Sequence, residues 1–356
     1  MREAAVLSGA PAAEPTVGWF EFWPSWLFNS PLVGSWIALG LWHGDMSLPT
    51  AANPRIPVGG LCGESKSAIL DQVGESARHW VAPWIVLSPQ GAEAALAAMQ
   101  AAGLGFPVVA KPDIGCNGTG VRRVDGLAAL ADYLAGFPAG ARLILQELVP
   151  WEHEAGLFYV RHPLAAEGSI TSVTLKSSPV VIGDGATPLG RLIAADKRAA
   201  RVAHLLPART DRGRVPAAGE RVKLLFVGNH CKGSTFRDGR DTVTPALVAC
   251  IDAIAHALPH YQFGRIDLRY RSLAALRRGE DFRIIEINGV GSEPTHVWDS
   301  RATLLRAWVD EIAHIRMAFT IGAAMRAAGH RPSGLGEMWR YWRLQKRLMA
   351  RYPAND

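Results

Sequence analysis

The 356-residue sequence has few cysteines and little excess charge, and each shortage excludes a class of protein. Its four cysteines lie far apart and form no CxxC pair, which argues against a disulfide framework and against a zinc site. We therefore expect a cytoplasmic protein. The net charge of +6 is modest for this length and no basic module stands out, so we do not expect nucleic acid as a partner.

Formal charge is almost absent between residues 18 and 43, where Glu21 is the only ionised side chain and tryptophan is frequent. Pro24, Pro31 and Gly34 interrupt the apolar run, and tryptophan favours the bilayer interface over its centre. We expect one or two short helices here, lying in a membrane interface or packed on the protein. The basic, tryptophan-containing residues 337–352 are typical of an interfacial anchor or of a terminal helix docked on its own domain.

A strand followed by a glycine-rich loop occupies residues 106–124. The apolar, β-branched run from Phe106 predicts a buried strand that ends at Lys111. Glycines at positions 115, 118 and 120 then let backbone N–H groups turn toward an anion. The loop lacks the GxGxxG order of a dinucleotide fingerprint, and the lysine precedes it instead of ending it as in a P-loop. The pattern predicts a lid over phosphates, with a plain glycine-rich hairpin as the alternative.

Acidic side chains lie near the ends of two later strands, within GRIDLRYR and FRIIEIN. Glu286 and Asn288 are two residues apart and point to the same face of their strand. Asp267, on the other strand, would complete an oxygen-rich set suited to Mg²⁺. The alternative is a structural cluster of salt bridges.

Two further segments are less specific. The glycine-rich residues 50–69 are typical of a site loop, and Lys66 within it is either a second nucleotide or substrate contact or a solvated lysine at a helix start. Residues 196–215 are basic and are predicted to form a loop.

The motifs FPVVAKPDIGCNGTGV, RID and EIN followed by Gly289 resemble the ATP-grasp superfamily, and the last two resemble its carboxylate-amine ligases. The chain is similar in this respect to D-alanine–D-alanine ligases and to cyanophycin synthetase ATP-grasp domains. This resemblance implies an α+β fold in which two α+β subdomains grip ATP. The sequence GVGSEPTHVWD after EIN lacks the serine-containing PG turn of the dipeptide ligases, which argues against D-alanine as a substrate.

Composition and the resemblance together predict a domain plan, and the resemblance also implies a set of site residues. The plan comprises a disordered terminus (1–16), a Trp-rich segment with a site loop (17–89), two ATP-grasp subdomains (90–150 and 151–325) and a basic C-terminal helix (326–356). The residues assigned to ATP are Lys111, Gly115, Asn117, Gly118, Gly120, Glu147, Val149 and Glu154, with Glu152 as the alternative to Glu154 on the ribose. The metal ligands are Asp267, Glu286 and Asn288, and the catalytic residues are Arg265 and Lys176, with Arg191 as an alternative cation.

The implied activity is ATP-dependent, C–N bond-forming ligation through an acyl phosphate, with ATP and Mg²⁺ (or Mn²⁺) required. The expected substrates are a small or lipid-linked carboxylate and an amine. Two alternatives stay open: an ATP-grasp kinase acting on a hydroxyl group, and a membrane-associated nucleotide-binding protein without turnover. A homodimer, and peripheral attachment to the inner face of a membrane, are further expectations.

Overall fold

The computed structural model describes residues 17–88, 90–207, 210–353 and 355. The segment expected to be disordered, 1–16, lies outside the described residues. The helices are α1 (Ser25–Trp42), α2 (Lys66–Leu70), α3 (Glu75–Arg78), α4 (Ala92–Ala101), α5 (Leu127–Ala135), α6 (Leu189–Ala195), α7 (Ala199–Val202), α8 (Pro245–His256), α9 (Leu273–Arg277), α10 (Leu304–Ala327) and α11 (Gly334–Met349). The strands are β1 (Trp84–Leu87), β2 (Val108–Pro112), β3 (Arg122–Val124), β4 (Leu143–Glu147), β5 (His153–Val160), β6 (Ser169–Ser177), β7 (Val180–Ile182), β8 (Arg221–Lys223), β9 (Thr235–Asp238), β10 (Phe263–Tyr270) and β11 (Phe282–Ile287).

The first sheet has the strand order β1-β4-β2-β3 and is antiparallel throughout. The apolar residues of β2 and β4 pack with those of α4 and α5 into one hydrophobic core, as expected for strands covered by helices on one face. Because β1 pairs with β4, this unit begins before residue 90. The glycine-rich loop joins β2 to β3, and β2 ends at a cleft between the first and second sheets.

The second sheet has the order β11-β10-β5-β6-β9 and is also antiparallel. Side chains alternate between its two faces. On β10, Ile266 and Leu268 enter a core shared with α8 and α9, whereas Phe263 packs with α10 on the opposite face. Arg265 and Asp267 lie on that same opposite face, nearer the end of the strand that borders the cleft.

One or two short helices were expected in the Trp-rich segment before residue 43. One helix, α1, is present there, and at 18 residues it is longer than expected. Pro31 lacks the N–H that would bond the carbonyl of Leu27, but the Ser30 hydroxyl donates to that carbonyl at 3.1 Å. The helix also packs along α10, where the Trp36 ring meets Phe319 at 5.2 Å. Within the described residues no helix has both the length and the apolar character needed to cross a bilayer.

A small third unit contains the two-stranded sheet β7-β8 and the helices α6 and α7 around their own core. The expectation that residues 196–215 form only a loop was wrong, because α7 lies within them. Asp196 Oδ1 accepts hydrogen bonds from the N–H groups of Arg198 at 2.9 Å and Ala199 at 2.7 Å. A carboxylate at this position stabilises the first turn of a helix.

The inner face of α10 buries two ionisable side chains with different surroundings. His314 is bonded on both ring nitrogens, to Thr171 Oγ1 at 2.9 Å and to the Asp310 carbonyl at 2.7 Å. Glu311 is only 5% exposed, and its Oε1 has no hydrogen-bond partner among the described residues. Burial, reinforced by Glu293, raises the pKa of Glu311 well above 4.5.

Replacement of Glu311 by glutamine should change how stability depends on pH. The pKa of Glu311 is raised in the folded chain. Its contribution to stability is therefore complete when the pH is below its pKa in the unfolded chain, and this contribution falls as the pH rises toward its pKa in the folded chain. The slope is up to ~1.4 kcal/mol per pH unit. Glu311→Gln lacks this loss, so its advantage over the parent chain in urea unfolding should grow as the pH rises above about 5.

The exposed Glu167 provides the matched control, since Glu167→Gln should leave the pH profile unchanged. An effect of Glu311→Gln that is equal at every pH would contradict this account of the buried carboxyl group.

Candidate active site

A cleft of about 400 Å³ lies between the first and second sheets. The ends of β2 and β4 line one wall, and the ends of β5, β6, β10 and β11 line the other. The residues assigned to the site from the sequence all line this cleft, with the exception of Gly120. The N–H of Gly120 instead donates to Asn355 Oδ1 at 3.1 Å, and its carbonyl accepts from the Tyr133 hydroxyl at 2.8 Å.

Lys111 connects the two walls of the cleft. Its side chain is buried, and Nζ donates to Gln146 Oε1 at 2.8 Å and to the Ile285 carbonyl at 2.7 Å. Burial, helped by the nearby charge of Lys66, lowers the pKa of Lys111 to about 8. The end of β2 therefore places in the cleft a lysine that loses its proton more readily than an ordinary lysine does.

Asp267 lies at the centre of a buried ionic network. It accepts hydrogen bonds from Lys176 Nζ at 2.7 Å and from Arg265 Nε at 3.1 Å, and Lys176 also bonds Glu154 at 3.0 Å. Burial alone would raise the pKa of Asp267, but Arg265 and Lys176 outweigh it and hold that pKa below its ordinary value. The same carboxylates raise the pKa of Lys176 despite its burial. Asp267, Lys176 and Arg265 are therefore charged near neutral pH.

Lys66 belongs to the cleft, so the solvated alternative for this lysine was wrong. Asp113, which follows β2, accepts hydrogen bonds from Ser65 and from the N–H of Ser67 at 2.8 Å each, and this fixes the start of α2. Lys66 Nζ donates to the Gly115 carbonyl and lies 3.5 Å from Glu286 Oε1. Burial would lower the pKa of Lys66, but Glu286 and Glu64 raise it.

The glycine loop is held by contacts from distant segments that sequence reasoning missed. The Tyr352 hydroxyl donates to the Ile114 carbonyl at 2.7 Å, Gln345 Nε2 to Cys116 Sγ at 3.1 Å and Lys232 Nζ to the Gly118 carbonyl at 3.1 Å. Gln345 itself lines the cleft. The basic pattern of residues 337–352 indicated a helix, but nothing in it indicated that α11 contacts this loop.

The loop backbone also requires residues that tolerate positive φ. Asn117 has φ 55°, Gly118 64° and Gly120 72°, a region that asparagine and glycine occupy with the least strain. At Gly118 a Cβ atom would stand 2.2 Å from Val227 Cγ1. The close approach of the loop to residue 227 therefore depends on glycine.

The segment after β4 lines the far part of the same cleft. Glu147 and Val149 both line it, and the Val149 carbonyl accepts from Arg269 at 3.0 Å. Glu154 lines the cleft as well, whereas its competitor Glu152 is exposed and is not among the described lining residues. Arg191 likewise does not appear among the described lining residues.

The three candidate metal ligands are neighbours in the second sheet. Asp267 and Glu286 are opposite each other in the β10–β11 register, and Asn288 Nδ2 lies 3.0 Å from Asp267 Oδ2. Two carboxylates and an amide oxygen are a donor set that suits Mg²⁺, and these residues therefore fit such an ion chemically. In the described part of the chain, no three histidine, cysteine, aspartate or glutamate side chains are grouped closely enough to hold a metal.

Comparison with known proteins finds no matching family model and no match among curated proteins. Solved structures do match. One is a bifunctional glutathione synthetase from Pasteurella multocida, at 16% identity and a TM-score of 0.34, covering 70% of this chain and 37% of that chain. Another is a D-alanine–D-alanine ligase from Bacillus anthracis, at 13% identity and a TM-score of 0.41, covering 72% of this chain and 69% of that chain.

A third match is a carboxyaminoimidazole ribonucleotide synthase from Aspergillus clavatus complexed with ATP, at 11% identity and a TM-score of 0.37. It covers 65% of this chain and 45% of that chain, so the chain spans less than half of the length of two of these three proteins. The chain is similar in structure to these three proteins. The α+β class expected from the sequence is confirmed by its antiparallel sheets and packed helices.

Neutralising Asp267 should destabilise the folded chain. Asp267→Asn keeps the shape of the side chain but leaves Lys176 and Arg265 buried without their shared carboxylate. Removing one partner of such a buried cluster typically costs ~3 kcal/mol or more, which denaturant unfolding would measure.

Glu280→Gln is the matched control, because Glu280 pairs with Arg278 at 2.8 Å but its side chain is 55% exposed. Exposed pairs contribute less than ~1 kcal/mol. Equal losses in the two variants would show that burial of the Asp267 network is not what stabilises it.

Proposed function

We propose that the chain is an ATP-dependent ligase that joins a carboxylate to an amine. The observation that supports this most is the convergence of four cations, the buried Lys66 and Lys111 and the partly buried Lys176 and Arg265, on one cleft that also contains a glycine-rich loop. Buried cations are costly unless anions balance them. Lys66, Lys176 and Arg265 already have carboxylate partners, whereas Lys111 bonds the neutral oxygens of Gln146 and Ile285. The phosphates of a nucleotide would supply the anionic partner of Lys111.

The nucleotide would lie along the cleft with its phosphates between the glycine loop and the lysines. Lys111, Gly115, Asn117 and Gly118 would contact the phosphates, in keeping with the affinity of turned backbone N–H groups for anions. Glu147 and Val149 would border the adenine, and Glu154 would reach the ribose. Glu154 is already bonded to Lys176, so ribose binding would link this end of the site to the phosphate end.

A divalent cation would be held by Asp267, Glu286 and Asn288, where it would neutralise charge on the phosphate oxygens. The chain's own cations have a related role at the reacting group. Lys176 and Arg265 lie on the same network as Asp267 and would stabilise negative charge that develops during phosphoryl transfer.

The chemistry would proceed in two displacements. An oxygen of the substrate carboxylate attacks the γ-phosphorus, the bond to ADP breaks, and an acyl phosphate forms. The amine nitrogen then attacks the acyl carbon and loses a proton. The bond between the acyl carbon and the bridging phosphate oxygen breaks, and phosphate leaves. Arg265 would stabilise the tetrahedral oxyanion, while the glycine loop, braced by α11, would limit access of water to the acyl phosphate.

The decisive experiment measures ADP release by the full chain with Mg-ATP and a panel of small and lipid-linked carboxylates and amines, singly and in pairs. A ligase should require both partners and form a product with the mass of their condensation. A phosphorylated hydroxyl compound without amide formation would instead identify a kinase. Nucleotide binding without turnover for every pair would contradict the proposal.

Replacement of Glu286 should abolish most of this turnover. Glu286→Ala removes a proposed metal ligand and leaves Lys66 without its partner at 3.5 Å, so we expect ADP release to fall on the order of 100-fold or more. Glu167→Ala, at an exposed position, is the control. Full turnover by Glu286→Ala would rule out its assignment as a ligand.

A further inference from the structure

The outer face of α1 is apolar and unpartnered in the described chain. Trp26, Val33, Ile37 and Leu41 are 73%, 56%, 46% and 71% exposed, and their spacing places them along one side of the helix. The opposite side carries Phe28 and Trp36, which pack toward α10. A surface helix normally presents polar side chains to water, so a continuous exposed apolar face indicates a contact surface.

This face extends onto α10, because the two helices run side by side in the same direction. The Trp308 indole donates to the Phe28 carbonyl near the start of α1, and Arg326 donates to the His43 carbonyl just after its end. On α10, Leu305 is 71% exposed and Val309 50%. The combined surface, which we name the α1–α10 face, is therefore wider than a single helix.

Charge is distributed unevenly across the α1–α10 face. No aspartate, glutamate, lysine or arginine occurs from residue 22 to residue 44. The exposed arginines Arg306, Arg316 and Arg326 lie along α10 instead. Trp26 and Trp42 lie at the two ends of α1, and tryptophan is enriched where apolar chains meet headgroups. An apolar helix flanked by arginines is complementary to a bilayer surface that carries anionic lipids.

We propose that the α1–α10 face binds the surface of an anionic membrane, with α1 lying parallel to the bilayer plane. A second copy of the chain explains the face less well. Pairing α1 against α1 would bring the arginine rows of two α10 helices to the same interface, where like charges repel. Arg306 lies 3.2 Å from Asp310 and Arg326 lies 3.9 Å from Asp45, so lipid headgroups would supply the opposite charge mainly for the exposed Arg316.

The helix α11 is the other aromatic and basic surface, but its exposed aromatic rings are already covered in part. Trp339 and Trp342 stack at 4.9 Å, with Arg343 over the first ring and Lys346 over the second. Its C-terminal end packs on the first sheet's core through Leu348. The α1–α10 face has no such internal cover over Trp26 or Leu41 among the described contacts, so it is the stronger membrane candidate.

Vesicle sedimentation of the full chain tests the proposal. The protein should bind phosphatidylcholine vesicles that contain phosphatidylglycerol more tightly than pure phosphatidylcholine vesicles, and added salt should weaken the binding. The double variant Val33→Glu/Ile37→Glu should bind anionic vesicles more weakly than the parent chain does, by a factor of about ten or more. Both positions are exposed, so the fold should persist, which circular dichroism and unfolding would verify.

Leu164→Glu is the matched control, because Leu164 is 89% exposed outside the α1–α10 face. It should bind vesicles as the parent chain does. The proposal is overturned if the parent chain fails to bind anionic vesicles, or if the double variant binds as the parent does. If Trp339→Ser/Trp342→Ser loses vesicle binding while Val33→Glu/Ile37→Glu retains it, the membrane contact belongs to α11 and the proposal is overturned.

Light scattering without lipid separates a membrane surface from a protein interface. A parent chain that is dimeric, becomes monomeric in Val33→Glu/Ile37→Glu and does not bind vesicles would assign the face to a second copy. An oligomeric state that is unchanged by the double variant, together with its loss of vesicle binding, would support the proposal. Neither result depends on ligase activity.

Discussion

The buried ammonium group of Lys111 joins the two sheets, and the arrangement of the cleft depends on it. It belongs to β2 in the first sheet and bonds the carbonyl of Ile285 on β11 in the second. Because a buried ammonium group must satisfy its donors, this contact favours one arrangement of the two walls. The other cations follow the same logic, with Lys66 beside Glu286 and Lys176 beside Asp267. The walls of the cleft are thus held by the charges that would bind an anionic ligand.

Local patterns in the sequence predicted the parts of the site that lie on strands. Strand alternation and glycine content suffice to indicate Lys111 at the end of β2 and the pair Asp267 and Glu286 on adjacent strands, because each depends on neighbouring residues. The oxygen-rich cluster and the salt-bridge cluster, which the sequence left as alternatives, are both present in the same residues. Asp267 is paired with Lys176 and Arg265, and it also faces Glu286 across the strand register.

Other features depend on contacts between distant parts of the chain, which local patterns do not contain. Tyr352 reaches the carbonyl of Ile114, and Gln345 reaches Cys116. The continuity of α1 through Pro31 depends on the hydroxyl of Ser30 and on packing against α10, whereas the sequence signal of proline alone favours a break. The burial of Lys66 also depends on a distant contact, because Asp113 anchors the start of α2.

The most direct test of the account is a crystal structure of the full chain with Mg²⁺ and a non-hydrolysable ATP analogue. We expect its phosphates within hydrogen-bonding distance of Lys111 and Lys176, the cation on Asp267 and Glu286, and the adenine beside Glu147 and Val149. An analogue bound outside the cleft between the two sheets, or bound within it with the adenine at Asp267, would contradict the account.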